Sequence, residues 1–249
     1  MKLNTWPRRI ALVTDFGEGP YTGQMLLTLS ALTDCPVVSL VSNLAPWRPD
    51  LAAYLLPGLM QRMPSQTLYL CVVDPGVGGP REALAVQVGS DWLVGPDNGL
   101  FVPSIRREPR SLVHRVRWRP EILSDSFHGR DLFAPIAAAI AAGELPDAGE
   151  VLLDALSGTD WPAALNKVCY VDAYGNLITG LKADAIPRDT RVRIGGRQIG
   201  FARTFCEVPR DTPFWYANAF GLVEVAANQA RADELLGVGA GDALTLLPH

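Results

Sequence analysis

Apolar residues over the first 155 positions arrive in two alternating rhythms. RIALVT (9–14) and TLYLCVV (67–73) are continuous apolar runs, each followed at once by an aspartate, Asp15 and Asp74. Runs of this length predict strands buried on both faces, as in a parallel sheet. Between them, residues 22–33 have helical spacing, VVSLVS (37–42) predicts another strand, and 50–62 predict a helix despite Pro57. LAVQV and WLVG flank Gly89-Ser90-Asp91 and predict a hairpin. The alanine-rich stretch 131–142 predicts a helix. This alternation predicts an N-terminal α/β domain with a mostly parallel sheet, spanning residues 1–157.

After about residue 160 the rhythm shortens. KVCYVDAYGNLIT, RVRIGGRQIG, FGLVEVAAN and ALTLLP are short β-rich runs split by Gly, Asp and Asn turns, and only QARADELLG has helical spacing. The expectation is a smaller C-terminal domain, β-barrel or sandwich-like, over residues 166–249, reached through the linker ALSGTDWPAAL (155–165).

Composition narrows the class of partner. With 48% apolar and 19% charged residues the chain has the balance of a globular enzyme. A net charge of −4 speaks against a general nucleic-acid-binding face. No apolar run reaches membrane-spanning length, and the opening MKLNTWPRRIALVTDFG lacks a signal peptide's apolar core. The four cysteines (35, 71, 169, 206) form no CxxC pair and predict buried free thiols in a reducing cytoplasm.

Candidate chemistry sits in TDFG (14–17), VVDPGVGGPR (72–81), GPDNG (95–99) and FHGRD (127–131). Each alone has a structural reading of equal weight: Asp15 as a helix cap, Asp74-Pro75-Gly76 as a turn, Asp97-Asn98-Gly99 as a hairpin or cap, His128 as a satisfied core histidine. Together they read differently. Asp15 and Asp74 both end buried strands, where parallel sheets place their ligands. A Gly- and Pro-rich loop then fixes Asp74 and Arg81 at its two ends. Only His114 and His128 are internal histidines, too few for a metal centre, and no HExxH, GxSxG, P-loop or GxGxxG occurs. What remains is a carboxylate, a guanidinium and an imidazole, able to hold and polarise a water without metal or cofactor.

Six segments in order, TDFG, DPGVGGPR, GPDNG, FHGRDLFAP, YVDAYGN and GLVEVAANQA, resemble the S-adenosylmethionine (SAM) hydroxide adenosyltransferases, relatives of the fluorinating and chlorinating SAM enzymes. The similarity runs from about residue 9 to 246. It implies a homotrimer with active sites at subunit interfaces, and attack by water-derived hydroxide on the ribose 5′ carbon of SAM to give adenosine and L-methionine. The family's catalytic triad falls on Asp74, Arg81 and His128, which favours water over halide. The resemblance makes Asp15 the grip on the ribose hydroxyls and Trp47 a residue packed against substrate, with a core tryptophan as the alternative. Asn98, Asp172, Tyr174, Asn176, Phe205 and Asn218 complete the substrate-binding set, with Asp172 toward the methionine ammonium, Asn176 and Phe205 toward adenine, and a plain turn at VDAYGN and core packing of Phe205 as the alternatives. Glu224 matches the family's pattern as a structural residue. Two departures stand out: Gly19 replaces an acidic residue, and Ala219 replaces a serine. A SAM- or adenosine-binding protein with negligible turnover, and a hydrolase of another adenosyl substrate, are the alternative readings.

Overall fold

The computed structural model describes residues 5–247. Met1–Asn4, the start of the segment read above for a signal peptide, and the last two residues lie outside them. The chain divides into two compact units, residues 1–53 with 62–161 and residues 54–61 with 162–249.

The first unit follows the alternating rhythm. In chain order it is built from β1 (Arg9–Thr14), α1 (Pro20–Leu32), β2 (Val37–Val41), α2 (Pro49–Leu59), β3 (Thr67–Val72), β4 (Ala83–Val88), β5 (Asp91–Pro96), α3 (Val102–Arg107), β6 (Leu112–Val116), α4 (Ala134–Ala141) and β7 (Ala148–Val151), with the last residues of α2 grouping in the second unit. Seven strands form one sheet in the order β2-β1-β3-β5-β4-β6-β7. β2, β1, β3 and β5 are parallel. β4 runs against both β5 and β6, and β7 runs against β6. Five of the seven strands therefore share a direction, and β4–β5 is the hairpin that LAVQV and WLVG predict. Ile10, Leu12, Leu68, Leu70 and Val94 pack against Met25 and Leu29 of α1 and Ile136 and Ile140 of α4, all fully buried. Burial of each such side chain contributes about 1.5–3 kcal/mol.

One helix departs from expectation. The stretch predicted as a helix from 131 begins as a π-helical turn, Gly129–Phe133, and becomes α-helical only at Ala134. Pro135 supplies the reason. It has no N–H to give the carbonyl of Asp131, and its ring crowds that carbonyl. The backbone widens instead, and the amide of Ala134 reaches back five residues to the carbonyl of Gly129.

The second unit is antiparallel. It holds β8 (Leu165–Val171), β9 (Leu177–Lys182), β10 (Arg191–Ile194), β11 (Arg197–Ile199), β12 (Pro213–Ala217), β13 (Leu222–Ala227), α5 (Ala232–Leu236) and β14 (Thr245–Leu247). These form a four-stranded sheet β12-β13-β9-β8 and a three-stranded sheet β11-β10-β14. Their shared core includes Val168, Leu177, Val192, Ile199, Trp215, Val225 and Leu244. Among the described residues the strands do not close into the expected β-barrel; they stay in two sheets, tied by isolated bridges such as Phe201–Trp215.

The cysteine expectation is half right. Cys71 and Cys169 are buried free thiols, but Cys206 lies exposed on a 3₁₀ turn and Cys35 is only part-buried after α1. No helix among the described residues is long and apolar enough to cross a membrane.

Candidate active site

Sheet register brings the first two candidates together. β1 and β3 are neighbours, with Thr14 opposite Val72, so Asp15 and Asp74 leave the sheet side by side. Burial raises the Asp15 carboxyl above its ordinary pKa, the Trp47 amide opposes that rise, and the nearby Asp74 charge adds to it. Trp47 donates this backbone N–H to Asp15 Oδ2 at 2.9 Å. It adopts a left-handed φ of 58° and the residue is 75% exposed. The core-tryptophan alternative is thereby excluded. Its strained backbone is the kind that clusters at ligand sites.

The loop after β3 is a compact turn. Val77 and Gly79 donate their amides to the carbonyls of Asp74 and Gly76. Gly78 has a φ of +76°, and a Cβ there would lie 2.6 Å from the backbone oxygen of Asp125. Only glycine fits, so this loop lies flush against the segment leading to His128.

Arg81 closes the arrangement. Its Nε is 3.0 Å from both Asp74 oxygens and its Nη2 is 2.5 Å from Oδ2. The same Nη2 lies 2.8 Å from His128 Nδ1. The guanidinium face covers the Phe133 ring at 5.0 Å. Side-chain exposure is 4% for Asp74 and 11% for Arg81, and His128 is 7% exposed. Burial first and Arg81 second hold the imidazole below its usual pKa, against the smaller pull of Asp74. Asp74, Arg81 and His128 thus form one contiguous chain of contacts.

Neighbouring residues anchor this chain. Asn98 donates Nδ2 to the carbonyl of Val73 at 2.9 Å, which fixes the exit of β3 directly before Asp74. Asp97, not singled out as a site residue, accepts the amide of Ser157. Arg106 holds the carbonyls of Thr159 and Trp161, so the first part of the predicted linker is fastened down. Arg130 and Asp131 pair with each other, while Gln24 accepts from Arg130 and the amide of Ser124 donates to Asp131. The charged half of FHGRD therefore holds the turn that presents His128.

The remaining candidates belong to the second unit, where a cavity of about 840 Å³ is lined by Tyr174, Asn176, Phe205, Tyr216, Asn218 and Glu224 among others. That volume suits a small molecule. Asp172 folds its own turn, accepting the amides of Tyr174 and Asn176 on Oδ1 and the Asn176 side chain on Oδ2, each at 2.9 Å. Asn218 does the same for Phe220 and Leu222 and donates to Glu224 at 2.8 Å. Glu224, directly opposite Tyr216 in the β12–β13 ladder, also accepts the Tyr216 hydroxyl at 2.6 Å. Burial raises its pKa despite both bonds. Phe205 meets Phe214 and Tyr216 edge-on, and Tyr174 is 78% exposed. Tyr216 is a lining residue that the sequence motifs do not single out, although PFWYA does place it on the face opposite buried Trp215. Among the described residues no cluster of three or more His, Cys, Asp or Glu side chains is arranged to hold a metal ion.

Comparison with known proteins follows this division. Residues 10–149 match the family model of the SAM hydroxide adenosyltransferase N-terminal domain, and residues 166–245 match that of the C-terminal domain. An (R)-S-adenosyl-L-methionine hydrolase of Thermus thermophilus is 38% identical, with 96% of this chain and all of the relative covered. One of the same name from Salinispora arenicola is 36% identical over 71% of this chain and 73% of its own. Among solved structures, a conserved hypothetical protein of Thermus thermophilus superposes with a TM-score of 0.76 at 35% identity, covering 96% of this chain and 100% of that one. An uncharacterized conserved protein of Thermotoga maritima, 24% identical with the same coverage, shares the fold with a TM-score of 0.84.

Proposed function

Since the chain belongs to the SAM hydroxide adenosyltransferase family, we propose that it hydrolyses S-adenosyl-L-methionine, in the (R) form that the relatives' names specify, to adenosine and L-methionine. The observation that carries this reading is the Asp74–Arg81–His128 chain of contacts beside Asp15. A sulfonium is already a good leaving group, so the reaction needs neither an acid to expel methionine nor a metal. It needs an aligned water-derived oxygen, its proton removed, and a site that keeps other water out.

In this proposal Asp15 grips the ribose hydroxyls with the oxygen that Trp47 leaves open, and Trp47 lies against the substrate. Asn98 acts through Val73, positioning Asp74. The second unit, barrel-like in its two linked sheets, supplies the adenine and methionine contacts from Tyr174, Asn176 and Phe205. Asp172 and Asn218 shape that pocket through their turns. A protein that only bound SAM would have no use for the buried triad.

The working unit is a homotrimer in which one chain's triad is completed by a neighbouring chain's second unit. Its location is the cytoplasm, in keeping with the free thiols. Incubation with (R)-SAM followed by chromatography tests the reaction, with adenosine and methionine expected in equal amounts. Mixing inactive His128→Ala and inactive Asn176→Ala chains tests the shared site, since some mixed sites carry neither change and regain activity. A monomer active at assay concentration would refute it.

A further inference from the structure

The contact between Arg81 and His128 determines the direction in which a proton can travel. Arginine only donates hydrogen bonds and keeps its charge in proteins. Its Nη2 is 2.8 Å from Nδ1 of His128, so Nδ1 presents a lone pair there. A neutral imidazole with a lone pair on Nδ1 carries its hydrogen on Nε2. We infer that His128 acts as a hydrogen-bond donor to the attacking oxygen through Nε2–H, and that the water's proton passes to Asp74. This rests on the SAM-hydrolase reading and deepens it.

The surroundings of the ring disfavour the imidazole as proton acceptor. In this tautomer its one lone pair is the one Arg81 occupies. Taking a second proton would set an Nδ1–H against the guanidinium N–H and place two cations in contact. The charged groups around the ring are Arg81, Asp74, Arg119 and Asp131. Among them Arg81 touches the ring, and Asp74 is already engaged with Arg81.

Asp74 is suited to receive the proton. Its Oδ2 accepts from both Nε and Nη2 of Arg81, whereas Oδ1 accepts from Nε alone and keeps a lone pair. As a water oxygen lone pair forms the bond to the ribose 5′ carbon, the carbon–sulfur bond breaks. Its electron pair goes to sulfur and converts the sulfonium to the thioether of methionine. The attacking water becomes far more acidic than a carboxylic acid as that bond forms, so a carboxylate held by arginine is base enough. One water hydrogen moves to Oδ1, the other stays as the 5′ hydroxyl of adenosine, and Asp74 later releases its proton to solvent.

Two measurements test this. Nitrogen-15 NMR of the free, histidine-labelled protein near neutral pH reads the tautomer directly, with His128 assigned by comparison with His128→Gln. The expected spectrum shows hydrogen on Nε2 and a bare Nδ1. In SAM cleavage, His128→Ala loses roughly 100- to 1,000-fold, the usual effect of removing one donor to the reacting oxygen. His128→Gln, which offers an N–H but no base, recovers most of that loss, while Asp74→Asn loses roughly 100- to 10,000-fold. A ring protonated on Nδ1, or a His128→Gln variant as slow as His128→Ala, overturns the inference alone. Failure of the unaltered protein to cleave SAM overturns the proposed function and the role given to Asp74 with it.

Discussion

The candidate residues of the two units use their hydrogen bonds in opposite ways. In the first unit Asp74 and Arg81, at the two ends of one loop, bond to each other, and Arg81 also bonds to His128 from a distant segment, which in the proposed reaction leaves Nε2 of the histidine and one lone pair of the aspartate for the attacking water. In the second unit Asp172 and Asn218 bond mainly to backbone amides two and four residues ahead. The first set is a chain of contacts that exists only through tertiary folding and carries the proposed chemistry, and the second makes turns that line a cavity. On the proposed function, residues of the same chemical type divide into reactive groups and scaffolding according to where their partners sit in the chain.

The largest effect that would break this contrast is on turnover. Asp74→Ala and Arg81→Ala should each lower kcat by roughly 100- to 10,000-fold and His128→Ala by roughly 100- to 1,000-fold, with KM little changed, because in the proposed reaction the lost contacts belong to the transition state. Arg81→Ala should in addition cost about 3–5 kcal/mol of stability, since it strands a nearly buried carboxylate. Titration calorimetry with SAM separates affinity from rate in these variants. Near-normal turnover in any of the three would dissolve the distinction between the units.

Scaffolding residues should fail differently. Asp172→Ala leaves two amides and one carboxamide without their acceptor, so a loss of about 2 kcal/mol in chemical denaturation is expected together with a raised KM. A variant as stable as the parent but unable to bind SAM would move Asp172 from scaffold to direct ligand. Gly78→Ala tests the scaffold of the first unit. Left-handed backbone and the Asp125 oxygen in the way should cost about 1–3 kcal/mol and slow turnover by displacing the loop that carries Asp74 and Arg81.

These contrasts also explain what is legible in the sequence. Strand-ending aspartates, the β4–β5 hairpin and the α/β order are readable because continuous apolar runs and Gly-Ser-Asp punctuation act locally. The π turn at His128 escapes such a reading although Pro135 lies in plain sight, because the helical rhythm of the alanines outweighs it. The open arrangement of the second unit's sheets is not readable, since short β runs do not say which edges join. Resemblance identifies Asp172 and Asn218 as pocket residues, but their side-chain bonds are a property of the folded turn. The anchoring role of Asn98, through the carbonyl before Asp74, is a contact 25 residues back in the chain and has no local signature.

The smallest expected effect concerns pH. Burial and then Arg81 make the folded His128 ring harder to protonate than the ordinary value of 6.5. Between the depressed folded pKa and 6.5 the unfolded chain binds more protons, so this contribution to stability is fully present above 6.5 and is lost as pH falls through that window. Thermal melts from neutral to mildly acidic pH should show the decline, and His128→Gln should flatten it. An identical decline in both proteins would assign the effect to other groups.

Hydrolysis at the ribose 5′ carbon is tested most directly by oxygen labelling. With (R)-SAM in water enriched in oxygen-18, the unaltered chain should yield adenosine with one heavy oxygen in its 5′ hydroxyl and methionine with none. Adenosine without the label would contradict attack by a water held at Asp74, Arg81 and His128.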